Sequence, residues 1–313
     1  MIRHLRHEEI NFKLWDECIS KSINGYIYAY SWYLNIVAGE WDALVEDDYV
    51  RVFPLPFRKK YGVKYVYQPP FTQQLGLFSS ALQGFSKLHE FILAIPKEYR
   101  LVEINLNKYY LPLERKNYQL VKNLNLELDL ATDFSRIKEH YSTNLKRNIK
   151  KAKTFELEIT QHIKPEQLIQ LFKENKGDEL RVYSDEDYTR LGRLIYMLLH
   201  KGRAVTQGVL SQENTLIAAA LFLKDNNRFI FLFSGLSAEG KEKLAMPFLI
   251  NQFIENNCRT DKVFDFEGSN NASLARFYKS FGAKEYTYYG LRHYQMPFLI
   301  KLPWLLYRGI KNR

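Results

Sequence analysis

Two carboxylates and a tyrosine late in the sequence have the residue types and the spacing that acid–base chemistry needs. They lie in KVFDFEGSNNASLARFYKSFGAKEY, residues 262 to 286, where alternation along a strand puts Asp265 and Glu267 on one side. Asn271 can cap the next helix, which carries Tyr278. A carboxylate can take a proton from an attacking amine, and a nearby tyrosine can donate one to a leaving group. The simpler interpretations are a core tyrosine and a glutamate that caps a turn.

A second stretch concentrates positive charge. YSTNLKRNIKKAK, residues 141 to 153, holds five basic residues and no acidic one. Helical spacing predicts an apolar stripe that consists of Ile137, Tyr141, Leu145, Ile149 and Ala152. The basic residues then share a second face, which is either a solvated surface or a binding surface for phosphate groups. For binding an acceptor or a phosphate, the candidates are Tyr141, Arg147 and Lys150.

A polar loop in the first half of the chain offers a third candidate. It runs from Tyr67 to Gln74 and contains two adjacent prolines, which favour a rigid turn. Gln73 and Gln74 lie beside aromatic residues, as is typical of the wall of a substrate site. Both interpretations stay open, and the two glutamines are candidates for acceptor binding.

Composition sets the class of protein and of partner. The 313 residues are enough for two domains, and the net charge of +10 favours polyanions such as nucleotides, RNA, phosphorylated lipid carriers or anionic membranes. We expect a phosphate-bearing donor or acceptor, tRNA among them, and no DNA. Cys18 and Cys258 are isolated, the seven histidines lack zinc-ligand spacing, and the first residues form no apolar signal core. The sequence therefore predicts a cytoplasmic protein without a bound metal.

The C-terminal stretch MPFLIKLPWLLYRGIK, residues 296 to 311, mixes apolar residues with Lys301, Arg308 and Lys311. This composition is compatible with weak contact to an anionic membrane surface. Its two prolines argue against one long amphipathic helix, so a packed C-terminal segment is the favoured interpretation. No apolar run in the chain is long enough for a membrane span.

The elements that must position these residues occur twice. ALVEDDYVRVFPLPFRKKYGVKYVYQPP from Ala43 and VLSQENTLIAAALFLKDNNRFIFLFSGL from Val209 both predict a strand, a polar turn, an apolar strand, a polar turn and an aromatic strand. FILAIPKEYRLVEINLN from Phe91 and FIENNCRTDKVFDFEGS from Phe253 both predict a helix end, a turn and a strand. The order and spacing indicate two copies of one α+β unit.

The boundary between the copies is predicted near Leu130, where the strand-like NLNLELDL gives way to a helix start with Thr132 or Asp133 as N-cap. The first unit then covers residues 1 to 130, and the second covers residues 131 to 313. Each unit is expected to have a mixed, mainly antiparallel sheet.

The second copy resembles a known family of enzymes. Asn271, Tyr278 and Gly282 resemble the last conserved block of the GNAT N-acyltransferases, in which a tyrosine protonates the departing coenzyme A thiolate. Residues 143 to 159 and 234 to 257 resemble the FemAB-related branch of that superfamily, which joins two GNAT-like units in tandem. The resemblance implies a fold of two tandem GNAT-like units and a catalytic role for Tyr278.

The chain departs from the GNAT pattern at the turn that usually cradles the coenzyme A pyrophosphate. That turn carries two small residues, mostly glycines, whereas residues 241 to 246 read KEKLAM. The FemAB branch also lacks the glycines, and its peptidoglycan enzymes use aminoacyl-tRNA. The donor-binding candidates that the resemblance leaves are Gly235, Leu236, Lys241, Lys243, Ala245 and Lys279. The first two would supply backbone N–H groups to the oxyanion.

The sequence thus predicts a bacterial N-acyltransferase that moves an acyl or aminoacyl group from acyl-CoA or aminoacyl-tRNA to an amine of a peptidoglycan or other cell-envelope precursor. Water or Glu267 would deprotonate the amine, Tyr278 would protonate the leaving group, and Asp265 with Glu267 would attract the ammonium form of the acceptor. The FemAB peptidoglycan enzymes carry Arg-Gly-Pro where this chain has residues 68 to 74, which implies an acceptor other than the muramyl peptide. The alternative is a non-catalytic RNA- or membrane-surface-binding protein that keeps the fold.

Overall fold

The structure, a computed structural model, describes residues 1–81, 87–110, 118–161, 163–177, 183–267 and 270–295. Within these ranges the strands are β1 (Ile2–Leu5), β2 (Trp41–Glu46), β3 (Arg51–Lys60), β4 (Val63–Val66), β5 (Phe78–Ser79), β6 (Tyr99–Asn105), β7 (Gln119–Asp129), β8 (Glu158–Thr160), β9 (Ala204–Leu210), β10 (Leu216–Lys224), β11 (Arg228–Leu236), β12 (Val263–Asp265) and β13 (Lys284–Tyr294). The helices are α1 (Phe12–Lys21), α2 (Ser31–Val37), α3 (Leu88–Ala94), α4 (Phe134–Glu139), α5 (Thr143–Ala152), α6 (Pro165–Phe172), α7 (Asp185–His200), α8 (Ala238–Glu242), α9 (Ala245–Asn257) and α10 (Ala272–Lys279).

The chain forms two compact units. The first comprises Met1–Asn123 and the chain from Thr287 onward, and the second is Leu124–Tyr286. The sequence places the boundary at Leu130; the observed division falls inside β7, and a second one falls inside β13. The difference has a physical reason, because the last five residues of β13, Gly290 to Tyr294, pair with β6 and so belong to the first unit.

The first unit is built on a mixed sheet with strand order β1-β2-β3-β4-β6-β13, and β5 adds to β3. Strands β2, β3 and β4 form an antiparallel meander, β6 lies parallel to β4, and β13 closes the order antiparallel to β6. Its largest fully buried side chains include Trp15, Trp41, Phe53, Phe91 and Tyr99. Aromatic residues thus form much of this core, as the short aromatic runs in the sequence predict.

The second unit has the strand order β7-β12-β11-β10-β9-β8. Strands β9, β10 and β11 form an antiparallel meander, β12 follows α9 and lies parallel to β11, and β7 pairs antiparallel with β12. The first unit shows the same order of a meander, a helix and a parallel strand in β2 to β4, α3 and β6. The internal repeat predicted from the sequence is therefore confirmed.

The apolar stripe predicted around the basic stretch is buried throughout. It belongs to two helices rather than one, because the chain bends between α4 and α5. At the bend the backbone N–H of Ser142 donates to the carbonyl of Ser280 (2.8 Å), and the Ser142 hydroxyl caps α5 by accepting from the N–H of Leu145 (3.2 Å). The basic residues of α5 are left on its exposed side.

Three further expectations concern the chain as a whole. Cys18 and Cys258 are both free. Among the described helices, none has the length and the apolar character that crossing a bilayer requires. The packed C-terminal segment predicted for residues 296 to 311 lies outside the described residues.

Candidate active site

The sheet of the second unit splits between β11 and β12. These parallel strands pair only through Arg228, Phe229 and Ile230 of β11, whereas β11 continues on β10 as far as Leu236. The chain after β12 stays with β7 instead, since the N–H of Phe266 donates to the carbonyl of Leu126 (3.0 Å). Within the described residues no strand takes up the edge of β11 that is left behind. The two strands therefore form a wedge that opens after Ile230.

A β-bulge shapes the β11 side of this wedge. The register of β11 on β10 shifts once and leaves Leu232 as an extra residue. Before the bulge, Phe231 packs on Phe222 with 5.6 Å between ring centroids; after it, Phe233 packs on Phe172 of α6 at 4.6 Å. The bulge therefore turns the end of β11 towards α6, on the other face of the sheet.

Gly235 lets α6 come close to the end of β11. A Cβ atom on Gly235 would lie 2.8 Å from the backbone nitrogen of Phe172 and 3.1 Å from Leu171. Helix α6 then continues into one turn of π-helix, Lys173–Gly177, a form that is frequent at functional sites. The predicted donor residue Gly235 is thus at the wedge, where it permits close packing of two backbones.

Tyr278 lies where the two strands separate. Its ring stacks on Phe266 with 4.9 Å between centroids and meets Phe231 edge-on at 6.3 Å. Asn271 caps α10 as predicted, by accepting from the N–H groups of Ser273 (3.0 Å) and Leu274 (3.2 Å). Burial, and then the charge of Glu267, raise the pKa of Tyr278, so its hydroxyl stays protonated at neutral pH.

Glu267 takes a left-handed backbone conformation, with φ of +56°, directly after β12. Its charge raises the pKa of two tyrosines: Tyr278, and Tyr183, whose pKa burial and Glu267 raise to about 12. Non-glycine residues rarely adopt this conformation, and such residues concentrate at functional sites. Glu267 therefore lies electrostatically close to a tyrosine from each side of the wedge.

Tyr183 is a site residue that the sequence analysis missed. Its ring is 6.2 Å from Phe172 and 5.9 Å from Tyr188, between centroids, so it belongs to the aromatic group beside α6. Sequence signals for it are weak, because it precedes the helix cap Ser184 and has no periodic partner. The link to Glu267 exists only in the folded chain.

Asp265 is placed in the interior and not on the wedge surface. Its carboxylate accepts from Arg228 Nη1 (3.2 Å), from Asn125 Nδ2 (3.0 Å) and from the N–H of Glu267 (2.9 Å). Arg228 also reaches Glu127 at 3.4 Å, and all three charged side chains are almost fully buried. Burial and the charge of Glu127 raise the pKa of Asp265, whereas Arg228 lowers it. The network holds the end of β12 to β7 and positions Glu267.

The turn before α9 keeps a glycine-like conformation without a glycine. Leu244 has φ of +58° and precedes α9, whose N-terminus has no side-chain cap. Lys243 forms ion pairs with Glu239 (2.7 Å) and Glu213 (3.7 Å), whereas Lys241 is exposed. The remaining donor candidates follow. Ala245 is buried at the first position of α9, Leu236 ends β11 half-buried, and Lys279 pairs with Glu285 at the end of α10.

The basic face of α5 carries no compensating acids. Five basic residues are exposed, namely Lys146, Arg147, Lys150, Lys151 and Lys153. Of these, Arg147 donates to Asn144 (2.8 Å) and Lys146 to the carbonyl of Glu139 (2.9 Å), and none forms an ion pair with a described residue. Tyr141 lies on the other side of the helix pair, 3% exposed, edge-on to Phe281, with a buried hydroxyl that has no partner among the described residues.

The glutamines predicted for acceptor binding lie inside the first unit. Gln74 is fully buried. Its side-chain Nε2 donates to Gln73 Oε1 (2.7 Å), and its side-chain Oε1 accepts from the backbone N–H of Lys108 (2.9 Å). The backbone carbonyl of Gln73 accepts from Asn105 Nδ2 (2.9 Å). These bonds favour the rigid-turn interpretation of the loop.

No protein-family model matches the sequence, and no curated protein sequence matches it. Solved structures do match in fold. FemX aligns with a TM-score of 0.64 over 92% of this chain and 96% of its own, at 11% identity. A conserved protein of unknown function from Bacteroides thetaiotaomicron aligns with a TM-score of 0.60 over 94% of this chain and 100% of its own, at 12% identity. L-PGS from Bacillus licheniformis aligns at 0.52, over 88% and 91%, at 12% identity.

These alignments confirm the predicted fold. The chain has the α+β fold of FemX, with two α+β units in tandem. At identities of 10 to 12% the similarity concerns the fold and does not identify a substrate.

Proposed function

We propose that this chain, which has the fold of FemX, transfers an acyl or aminoacyl group to an amine and that the second unit carries the active site. One observation carries the proposal: β11 and β12 separate after three paired residues, and Tyr278 lies at the point of separation with Glu267 nearby. The wedge beside β11 is suited to an extended donor with amide groups, because such a chain can bind along a strand by backbone hydrogen bonds.

In the proposed reaction the acceptor amine attacks the carbonyl carbon of the donor and forms the new C–N bond. The amine proton passes to Glu267, directly or through a water molecule. Backbone N–H groups near Gly235 and Leu236 stabilise the tetrahedral oxyanion. As the bond to the leaving group breaks, Tyr278 donates its proton to the departing thiolate or ribose oxygen. The proton held by Glu267 returns to the tyrosine through solvent, which balances the cycle.

Two features support a donor that carries phosphate groups. The uncapped N-terminus of α9 follows β11 and the short helix α8, on which Lys241 is exposed. The basic face of α5 belongs to the same unit. Acyl-CoA needs only the first of these sites. An aminoacyl-tRNA presents many phosphates and would also use Arg147 and Lys150. An amine of a cell-envelope precursor is the proposed acceptor.

The test begins with donor binding, measured as a thermal shift at low salt. The ligands are acetyl-CoA, a longer acyl-CoA, an aminoacyl-tRNA pool and uncharged tRNA. A ligand at about 100 times its Kd stabilises the protein by roughly 2.7 kcal/mol, which is a shift of a few degrees. The donor that binds is then assayed for transfer to hydroxylamine and to a panel of amines.

Tyr278→Phe is the decisive variant. It should lower the transfer rate by about 10²- to 10⁴-fold and leave the donor-induced thermal shift unchanged. Tyr33→Phe is the matched control, since it removes a hydroxyl that donates to the Phe71 carbonyl (2.5 Å) in the first unit. The control should keep the wild-type rate per folded molecule. A chain that binds none of the donors, or a Tyr278→Phe variant with the wild-type rate, would contradict the proposal.

A further inference from the structure

One face of the sheet in the first unit carries tyrosines and arginines from four neighbouring strands. Strand pairing shows which residues share it: Arg58 of β3 pairs with Tyr65 of β4, and Tyr65 pairs with Leu101 of β6. Leu101 in turn pairs with Tyr294 of β13. Paired residues point to the same side of a sheet, and so does every second residue along a strand. The tyrosine-arginine face defined in this way includes Arg58, Tyr65, Tyr67, Leu101, Glu103, Arg292 and Tyr294.

The rings and guanidinium groups of this face are accessible. Tyr65, Tyr67 and Tyr294 are half-buried, whereas Arg58 and Arg292 are exposed. The rings of Tyr65 and Tyr67 meet edge-on, with 6.4 Å between their centroids, and the guanidinium of Arg58 lies over Tyr67, 4.4 Å from the ring centroid. Flat aromatic groups and a flat cation therefore lie side by side on one surface.

Positive charge is in excess on the tyrosine-arginine face. Glu103 is the carboxylate among these residues; it accepts a hydrogen bond from the Tyr294 hydroxyl (3.4 Å) and lies opposite Arg292 on the neighbouring strand. Neither Arg58 nor Arg292 forms an ion pair with a described residue. Two exposed cations are thus available to a partner that carries negative charge.

The face also holds a polar group without a partner. The hydroxyl of Tyr67 is buried and has no hydrogen-bond partner among the described residues. Buried polar atoms are nearly always paired, so one that the protein leaves unpaired is a place where a ligand or an ordered water can bind. Together with the carboxylate of Glu103, this hydroxyl gives the face two acceptors for a hydroxyl donor.

We infer that the tyrosine-arginine face binds single-stranded RNA. Bases stack on the tyrosine rings and on the guanidinium of Arg58, and the arginines neutralise the phosphates. The ribose 2′-hydroxyl, which DNA lacks, donates to Glu103 or to Tyr67. An acidic peptide satisfies the arginines but brings no bases to stack on the rings. A bilayer needs protruding apolar side chains, and Leu101, the aliphatic residue among these, is only 3% exposed.

Fluorescence anisotropy of the full chain with a labelled oligouridine, at physiological salt, tests the inference. The wild type should bind, and added salt should weaken the binding. Tyr65→Leu removes the flat ring but keeps an apolar side chain, and it should lower the affinity by about 5- to 150-fold. Tyr65→Phe keeps the ring and should bind like the wild type. Arg58→Gln with Arg292→Gln should lower the salt slope by about one per charge removed.

Matched controls separate base stacking from general basicity. An abasic oligonucleotide of equal length should bind more weakly than oligouridine, and equally to the wild type and to Tyr65→Leu. Lys13→Gln with Lys21→Gln removes two exposed cations from α1 of the same unit and should keep the wild-type affinity and unfolding midpoint.

The inference fails if the wild type does not bind oligouridine, or if Tyr65→Leu keeps the wild-type affinity. It also fails if the two double variants lose affinity equally, or if an oligodeoxyuridine of equal length binds as tightly as the RNA. None of these outcomes depends on the proposed acyl transfer.

Discussion

The parallel strand pair occurs once in each unit, and the two copies end differently. In the second unit β11 and β12 part, and no described strand pairs with this side of β11 beyond Ile230. In the first unit the loop after β4 returns to β6, where Leu75 pairs with Leu106 and its N–H donates to the carbonyl of Asn105 (2.8 Å). The side chain of Gln68 accepts from the N–H of Asn105 (2.9 Å).

The comparison shows that the same arrangement of strands is closed by the chain itself in one unit and forms a wedge in the other. In the first unit the loop after β4 adds to the edge of β6, whereas in the second unit no described strand or loop segment is paired with β11 on the β12 side beyond Ile230. Orphan backbone groups are costly when they are buried, so an open gap persists only where something else can pair with it. We therefore expect donor binding in the second unit and a structural role for the loop in the first.

The two units also differ in how many charged groups contact their buried carboxylates. In the first unit Asp42 is contacted by Arg6 (3.2 Å), Lys64 (3.0 Å) and His4 (3.5 Å) and accepts a hydrogen bond from Tyr99. Burial alone would raise the pKa of Asp42, but these partners hold it well below its usual range. Glu98, near His4 and Asp42, is also neutralised, by Arg6 and Lys64. In the second unit Asp265 and Glu127 share one arginine.

The largest effect is expected from Arg228→Met, which removes the cation that contacts two buried carboxylates, Glu127 and Asp265. The free energy of unfolding should fall by about 3–5 kcal/mol. Burial already raises the pKa of Asp265, and loss of Arg228 raises it further, whereas the unfolded chain keeps a value near ~3.9. The folded variant then takes up a proton first as the pH falls, so it should regain stability towards about pH 5. Urea unfolding at both pH values measures this.

Lys64→Met in the first unit is the matched control. Asp42 keeps Arg6, His4 and Tyr99, so the loss should be about half as large. The remaining partners still hold the pKa of Asp42 low, and acid should therefore weaken this variant rather than rescue it. Equal losses in both variants would mean that the difference in the number of partners has no energetic weight.

Much of this architecture could be predicted from local patterns. The stripe that ends at Ala152, the cap at Asn271 and the repeat all depend on residues close in sequence, where periodicity and capping chemistry act. The contacts that define the site do not. Arg228 and Glu127 are 101 residues apart, and the β-bulge at Leu232 depends on the register with a neighbouring strand. Such pairings leave no periodic signal.

The sequence analysis singled out several polar residues but could not predict whether they contact a ligand or the rest of the protein. Gln73, Gln74 and Asp265 suggested ligand contacts, yet each makes internal hydrogen bonds in the folded chain. In the sequence, a polar residue that is hydrogen-bonded in the core looks the same as one that lines a site. Only the burial and the partners seen in the structure distinguish the two. Tyr183 had only a weak signal, because its relation to Glu267 arises from the fold.

A smaller effect is expected from Gly235→Ala, which adds a Cβ where α6 meets β11. The new atom would lie 2.8 Å from the Phe172 nitrogen, so α6 must move. The free energy of unfolding should fall by about 1–3 kcal/mol, and the transfer rate per folded molecule should fall with it. Thermal unfolding and the hydroxylamine assay measure the two changes.

The comparison predicts a different result for Gln74→Ala in the first unit. This variant removes the acceptor of the Lys108 N–H and the donor to Gln73 Oε1, at a similar cost of about 1–3 kcal/mol. Its transfer rate per folded molecule should stay at the wild-type value. A large loss of rate in Gln74→Ala would give the loop of the first unit a part in catalysis and undo the contrast.

The smallest effect on stability is expected on α5. Arg147→Ala with Lys150→Ala removes two exposed charges from a face without acids, so the free energy of unfolding should change by less than about 0.5 kcal/mol. If aminoacyl-tRNA is the donor, its affinity should fall and the salt slope should decrease by about one per charge. Acyl-CoA binding should not change. The control is Lys59→Gln with Lys60→Gln, at the end of β3 in the first unit, and it should leave the affinity for both donors unchanged.

Strand β13 comes late in the sequence but pairs with β6 of the first unit, and this has a consequence during synthesis of the chain. The strand that pairs with β6 is made after the whole second unit, whose residues Leu124–Tyr286 are contiguous. On the ribosome the first unit therefore waits with the edge of β6 unpaired while the second can already fold, and such an edge invites aggregation. A fragment that stops near residue 130 lacks this strand permanently. Residues that are translated after the second unit thus complete the sheet of the first.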